Sequence, residues 1–134
     1  MRVCLDTNVL VSAFAARGLC ADVMRCVLAN HELIVPAIVL TELERALRTK
    51  LKLPGGHIAD ILAFLRDYRA DPAPAPIPRL KIQDSNDRLI IASALATHAG
   101  ILVTGDQELV ALRSVNALRI LSPRGFWAEV AKSA

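Results

Sequence analysis

Short apolar runs alternating with helical stretches predict an α/β fold, in which helices cover both faces of a parallel sheet as a three-layer α/β/α sandwich. Three observations carry this. The runs are only a few residues long and apolar throughout, as in strands buried on both faces. Each is followed by a segment of helical length. Two of them, Val3–Leu5 and Ile101–Thr104, lead into the acids Asp6 and Asp106, at the strand ends where an open α/β sheet collects its ligands.

Taken in order, Val3–Leu5 is a strand, and Asp6, Thr7 and Asn8 are all good caps for a helix from about Asn8 to Ala16. A second helix covers about Ala21–Asn30, and Leu33–Val35 reads as a strand. Pro36 suits the first turn of a helix running to about Leu51. Pro54, Gly55 and Gly56 break the chain before a helix over about Ile58–Arg69. Asp71–Pro78 holds four prolines in eight residues, which excludes helix and central strand. It reads as a crossing of one sheet edge with a short extended piece, because the parts on either side are too small to fold alone. Asp84 caps a helix to about His98. Ile101–Thr104 is a strand, Gln107–Leu112 a short helix, Leu118–Leu121 a strand and Pro123–Ala131 a terminal helix.

The 134 residues suit one domain, 1–134, with an aliphatic core, since hydrophobic residues make up 54% and aromatics only 4%. That composition excludes disorder. The net charge of +3 and pI near 9.0 are mildly basic. Twelve of the 16 cations are arginine, which suits phosphate contacts or reflects a compositional habit. Cys4, Cys20 and Cys26 lack zinc spacing and read as free thiols in a reducing cytoplasm. Polar residues interrupt the uncharged stretch 89–105, so no membrane span is expected.

Four acids stand where local signals would bring them to a shared crevice: Asp6, Glu42, Asp87 and Asp106. Each also has a structural explanation. Asp6, Asp84 and Asp106 are placed to cap helices, and Asp87 lies in a first turn favoured by the helix dipole. The stretch after Asp87, LIIASALA, is apolar nearly all round and predicts a buried helix. Around the helix after Pro36, Val39, Leu40, Leu43, Ala46, Leu47 and Leu51 form the apolar stripe. Glu42 and Glu44 flank it, and periodicity does not choose between them. Several carboxylates converging at a sheet end make an oxygen-rich cage for Mg²⁺ or Mn²⁺.

Together DTNVLVSA, TELERAL and DRLIIASALATHAGILVTGDQEL, in this order and at these intervals, resemble the motifs of PIN domains over almost the whole chain. The resemblance implies a parallel sheet of order 3-2-1-4-5, with the topological switch between the first and fourth strands. It implies a metal-dependent ribonuclease, and small members of the family resemble VapC-like toxins, the nuclease halves of toxin–antitoxin pairs. Carried over by position, the family's acids fall on Asp6, Glu42, Asp87 and Asp106, with Glu108 as a variable fifth and Asp84 as the alternative to Asp87. Asn8 and Thr104 match supporting polar positions. An RNA substrate, an antitoxin partner and a homodimer are implied in the same way.

Arg45, Arg48, Lys50, Lys52 and Arg88 flank Glu42 and Asp87 and are candidate phosphate contacts, or simply a solvated helix face. His31, His57 and His98 have no partner pattern and read as surface or structural. A haloacid-dehalogenase-like phosphatase would want a second Asp where Asn8 stands, and no glycine-rich phosphate loop follows any strand. The non-enzymatic alternative is a silent PIN-like module that only binds RNA or protein.

Overall fold

β1 (Arg2–Leu5) is central to the sheet, and everything else is arranged outward from it. The computed structural model describes residues 1–71 and 84–131. After β1 come α1 (Thr7–Ala15), α2 (Leu19–Asn30), β2 (Glu32–Pro36), α3 (Ala37–Thr49), α4 (Gly55–Arg66) and β3 (Arg69–Ala70). Then follow α5 (Ser85–Ala96), β4 (Ile101–Val103), α6 (Gln107–Val110), β5 (Ser114–Val115), β6 (Leu118–Leu121) and α7 (Pro123–Glu129).

The strands form one sheet of order β3-β2-β1-β4-β6-β5, parallel except for the β5–β6 pair. Val3, Cys4 and Leu5 of β1 and Ile101, Leu102 and Val103 of β4 are all 0% exposed, so neither strand shows polar alternation. That is the signature of strands covered on both faces. The right-handed rule for parallel crossovers puts α1 to α4 on one face and α5 and α6 on the other. α7 returns to pack on α2. Leu43 and Leu47 from α3, Leu65 from α4 and Phe126 from α7 are among the large side chains closing the core. Among the described residues no helix is long and apolar enough to cross a membrane.

The expected order 3-2-1-4-5 holds, with β6 as its fifth member, and the sheet gains one more strand. β5 is two residues long and antiparallel, with no apolar run to announce it. The turn into β6 passes through Asn116 at φ 52°, a left-handed conformation that Asn tolerates. The predicted helix to Arg69 stops at Arg66, and Arg69–Ala70 pair with β2 instead. Most of the proline-rich crossing, like the end of the chain beyond 131, lies outside the described residues. The predicted break at Pro54-Gly55-Gly56 is in fact the start of α4: Pro54 is its cap, and Ile58 N–H donates to Pro54 O at 3.1 Å. Nor is α5 buried all round. Ile90, Ile91, Ala92 and Ala94 face the core, while Leu89 is 38% exposed.

α5 ends in a Schellman turn. His98 N–H donates to Leu95 O at 3.0 Å and Ala99 N–H to Ala94 O at 3.0 Å. The left-handed position, φ 59°, is held by His98, an exposed residue where glycine is the usual occupant. The prediction is that His98→Gly raises stability by up to about 1 kcal/mol, the relief of the left-handed penalty exceeding the added chain entropy. Chemical denaturation with an unchanged m-value would check it.

Candidate active site

The pairing of β1 with β4 sets the site. Leu5 lies opposite Val103, so Asp6 and Thr104 are the next pair beyond the strands. Asp6 N–H donates to Val103 O at 2.9 Å and Thr104 N–H to Leu121 O at 2.9 Å, which carries the ladder past the strand ends. Asp6 is buried and its carboxylate is met by donors on both oxygens. Thr7 N–H reaches Oδ1 at 2.7 Å, while Thr104 Oγ1 reaches Oδ2 at 2.7 Å and Asn8 Nδ2 reaches it at 3.4 Å. Burial raises the Asp6 pKa, those hydrogen bonds oppose the rise, and the charge of Asp106 adds to it.

Asp106 follows Thr104 and Gly105 beyond β4 and is the N-cap of α6, as its sequence position predicts; its Oδ1 accepts from Glu108 N–H at 2.9 Å. Its own N–H donates to Thr104 Oγ1 at 3.1 Å. One hydroxyl therefore ties Asp6 to the segment bearing Asp106. Gly105 N–H donates to Asn8 Oδ1 at 2.9 Å, and a Cβ on residue 105 would lie 3.3 Å from that oxygen. The absence of a side chain there permits the close approach.

Asp87 comes in from α5. Burial, then the charges of Asp84 and Asp106, a hydrogen bond to Asp106 and the charge of Asp6 push its carboxyl up to about 7. Asp84 is exposed and caps α5, accepting from Asn86 N–H at 2.8 Å. Glu42 of α3 accepts from Thr7 Oγ1 at 3.0 Å through Oε2, while Oε1 is buried without a partner. Burial raises its pKa, opposed by Thr7, with Asp6 and Asp84 adding to the rise and Arg45 lowering it. Glu44 instead faces Arg48 at 3.9 Å on the helix surface. Geometry therefore makes the choice that helical periodicity left open.

Asp6, Asp87 and Asp106 are brought together, with Glu42 joined through Thr7 and Asp84 at the margin. Glu108 is exposed and linked only through its backbone N–H. Arg45 and Lys50 line a cavity with Glu42; Arg48 is drawn to Glu44 and Lys52 is exposed beyond α3. Arg88 is half-buried on α5. Thr7 was read from sequence as a cap alone. Its second role, holding Glu42, has a signal in hindsight: a hydroxyl directly after a strand-end acid.

Among the described residues no three His, Cys, Asp or Glu side chains stand close enough to enclose one ion as they are placed. The donor set nevertheless fits a hard divalent cation. It is all oxygen, it holds an unpartnered buried carboxylate oxygen at Glu42, and it crowds Asp87 against the charges of Asp84, Asp106 and Asp6. Mg²⁺ is commonly held by one or two carboxylates, with waters and substrate oxygens completing its shell.

Two outcomes follow from this geometry. Thr104→Val removes a buried donor to Asp6 and an acceptor for Asp106 N–H, and is expected to cost about 1.5–3 kcal/mol in a denaturant titration at neutral pH. Asp87, raised in the folded state from 3.8 to about 7, binds a proton more tightly there than in the unfolded chain. Its contribution is present at low pH and is lost as pH rises through about 7. Metal-free protein should therefore lose stability over that window relative to Asp87→Asn, and melting curves of the two across pH decide it.

A family model of the PIN domain matches residues 2–108. No protein among those with curated descriptions matches the sequence. Two solved structures share the fold. One is the crystal structure of VapBC2 from Rickettsia felis bound to a DNA fragment from their promoter, with TM-score 0.63 and 20% identity, over 91% of this chain and 98% of that one. The other is VapBC-1 from nontypeable Haemophilus influenzae, with TM-score 0.62 and 18% identity, over 92% of this chain and 99% of that one. With a sheet of order 3-2-1-4, acids gathered at its carboxyl end and a family match over most of its length, the chain belongs to the PIN domain family.

Proposed function

We propose that this protein is a Mg²⁺- or Mn²⁺-dependent endoribonuclease, and that it works as the toxin of a toxin–antitoxin pair. The observation that carries the reading is the delivery of Asp6, Asp87 and Asp106 from three separate segments to one sheet end, where Thr104 Oγ1 bridges Asp6 and the Asp106 backbone. Membership of the PIN family supports the nuclease. The two solved structures of like fold, both named as VapBC assemblies, support the pairing with an antitoxin. A homodimer, an RNA substrate and a cytoplasmic setting belong to the same proposal.

Asp6, Glu42, Asp87 and Asp106 would hold the metal, and Asn8 and Thr104 would orient Asp6 and the Gly105–Asp106 turn. A bound divalent ion supplies Lewis-acid charge at the phosphodiester and lowers the pKa of a water. The chain's residues do the rest. Thr7 N–H and Thr104 Oγ1 hold the Asp6 carboxylate in one orientation. Thr7 Oγ1 fixes one oxygen of Glu42 and leaves the other free for a ligand. Asp87 or Glu42, each in electrostatic contact with Asp6 at the sheet end, is placed to take the proton of an attacking water. The proton that Asp87 retains up to about 7 links cation binding to proton release.

A second reading, a PIN module that binds without cleaving, draws on one observation: among the described residues no three acids enclose an ion as the side chains stand. One set of experiments separates the two. Purified protein is expected to cleave RNA with Mg²⁺ or Mn²⁺ and not with EDTA. Asp6→Asn should abolish cleavage while remaining folded, and Asp87→Asn should slow it roughly 10²–10⁴-fold. Metal at 100 times its dissociation constant should stabilise the wild type by about 2.7 kcal/mol and Asp6→Asn by much less. Stabilisation without cleavage of any RNA tried would favour the binding module.

A further inference from the structure

We infer that the cavity beside Glu42 seats the phosphodiester adjacent to the one cleaved in the RNA substrate. The inference rests on the nuclease reading above and specifies how that substrate is held. The cavity, about 230 Å³, lies where α3 passes the starts of α1 and α5, and is lined by Thr7, Glu42, Arg45, Thr49, Lys50 and Asn86. Thr7 and Glu42 belong to both the acidic crevice and this cavity. A group bound here is therefore a near neighbour of one held at Asp6.

The free groups in the cavity identify the ligand. Thr7 Oγ1 is engaged with Glu42 at 3.0 Å, and Thr49 Oγ1 donates to Arg45 O at 2.7 Å. Among the described residues, the side chains of Arg45, Lys50 and Asn86 form no ion pair or hydrogen bond. Two are cationic donors and the third offers an amide. A phosphodiester presents acceptors and one negative charge, which matches the two cations and the amide N–H groups. The volume falls below the roughly 300–1,000 Å³ of sites that enclose a whole small ligand. It suits one charged group of a longer chain.

Of the two cavities that border the acidic residues, this one alone is lined by cations. A second cavity, about 360 Å³, is lined by Asn8, Ser12, Cys20, Gly105, Asp106 and Pro123 and carries no cation. The anionic backbone is therefore received on the α3 side. Of the cations in the last turns of α3, Arg48 is turned to Glu44, which leaves Arg45 and Lys50 for the RNA. Such cations position the substrate without reading its sequence.

The test uses the full chain and a short single-stranded RNA, selected from a random pool, that wild type cleaves at one bond. In two synthetic versions a neutral methylphosphonate replaces the linkage on one side of that bond or the other. Wild type should lose roughly tenfold or more in kcat/KM on one of them. The double variant Arg45→Ala/Lys50→Ala, altered at two exposed positions and checked by melting, should lose a similar factor on unmodified RNA, chiefly in KM. It should lose nothing further on the modified RNA. Its binding should also depend less steeply on salt, by about 0.7 in log–log slope for each phosphate it no longer neutralises. If the two losses multiply, the cavity does not hold that linkage and the proposal is wrong, while the nuclease reading stands. If the double variant cleaves like wild type but escapes inhibition by a polyglutamate peptide, the cations serve a protein carboxylate instead. If wild type shows no Asp6-dependent cleavage of any RNA in the pool, the nuclease reading fails, and this inference with it.

Discussion

The buried carboxylate of Asp6 is the constraint around which the rest is organised. A charge withdrawn from water at the end of a sheet is costly unless donors surround it. Here they come from two directions. Thr7 and Asn8 lie in the turn that starts α1, and Thr104 lies on the neighbouring strand's extension. The second source exists only because β1 and β4, almost a hundred residues apart in the chain, pair in one particular register. A shift of one residue would carry Thr104 away from Asp6 and reverse the facing of every side chain on the strand.

That strand order has a second consequence. To place β4 beside β1, the chain must return across the sheet from β3 at the far edge. α5 makes that return, and its first turn delivers Asp87 to the same sheet end as Asp6. The gathering of like charges is eased by the backbone. Asp6 and Asp84 cap α1 and α5, so each carboxylate sits against the positive end of a helix dipole. Capping and the proposed metal chemistry are thus compatible uses of the same side chains. The residual repulsion falls on Asp87, whose proton is retained near neutrality, and on Glu42, whose second oxygen has no partner.

α3 joins this acidic end to a basic one. Glu42 points toward Thr7, and further along the helix Arg45 and Lys50 border the adjoining cavity. A single helix therefore presents a carboxylate for the crevice and cations for the anion it would act upon. Opposite charges in neighbouring recesses are what a polyanion held next to a cation site requires.

Much of this was readable from residue order. Apolar runs without alternation announced buried parallel strands, and the motifs around Asp6, Glu42, Asp87 and Asp106 pointed to one family, because both signals are local and survive in a linear chain. Boundaries set by tertiary pairing were not readable. β3 and β5 are two residues each and are strands only because β2 and β6 lie alongside. The choice of Glu42 over Glu44 needed Thr7, 35 positions away, and the inward placement of Asp87 over Asp84 needed Asp106 across the sheet end. The same holds for Arg45 and Lys50, which helical periodicity left among equivalent surface cations and which the neighbouring helices set at the border of a cavity. Sequence alone determined the composition of each strand and helix and which acids were available. Only the tertiary structure decided which of them meet, since hydrogen bonding and charge coupling depend on distances in space that no local pattern encodes.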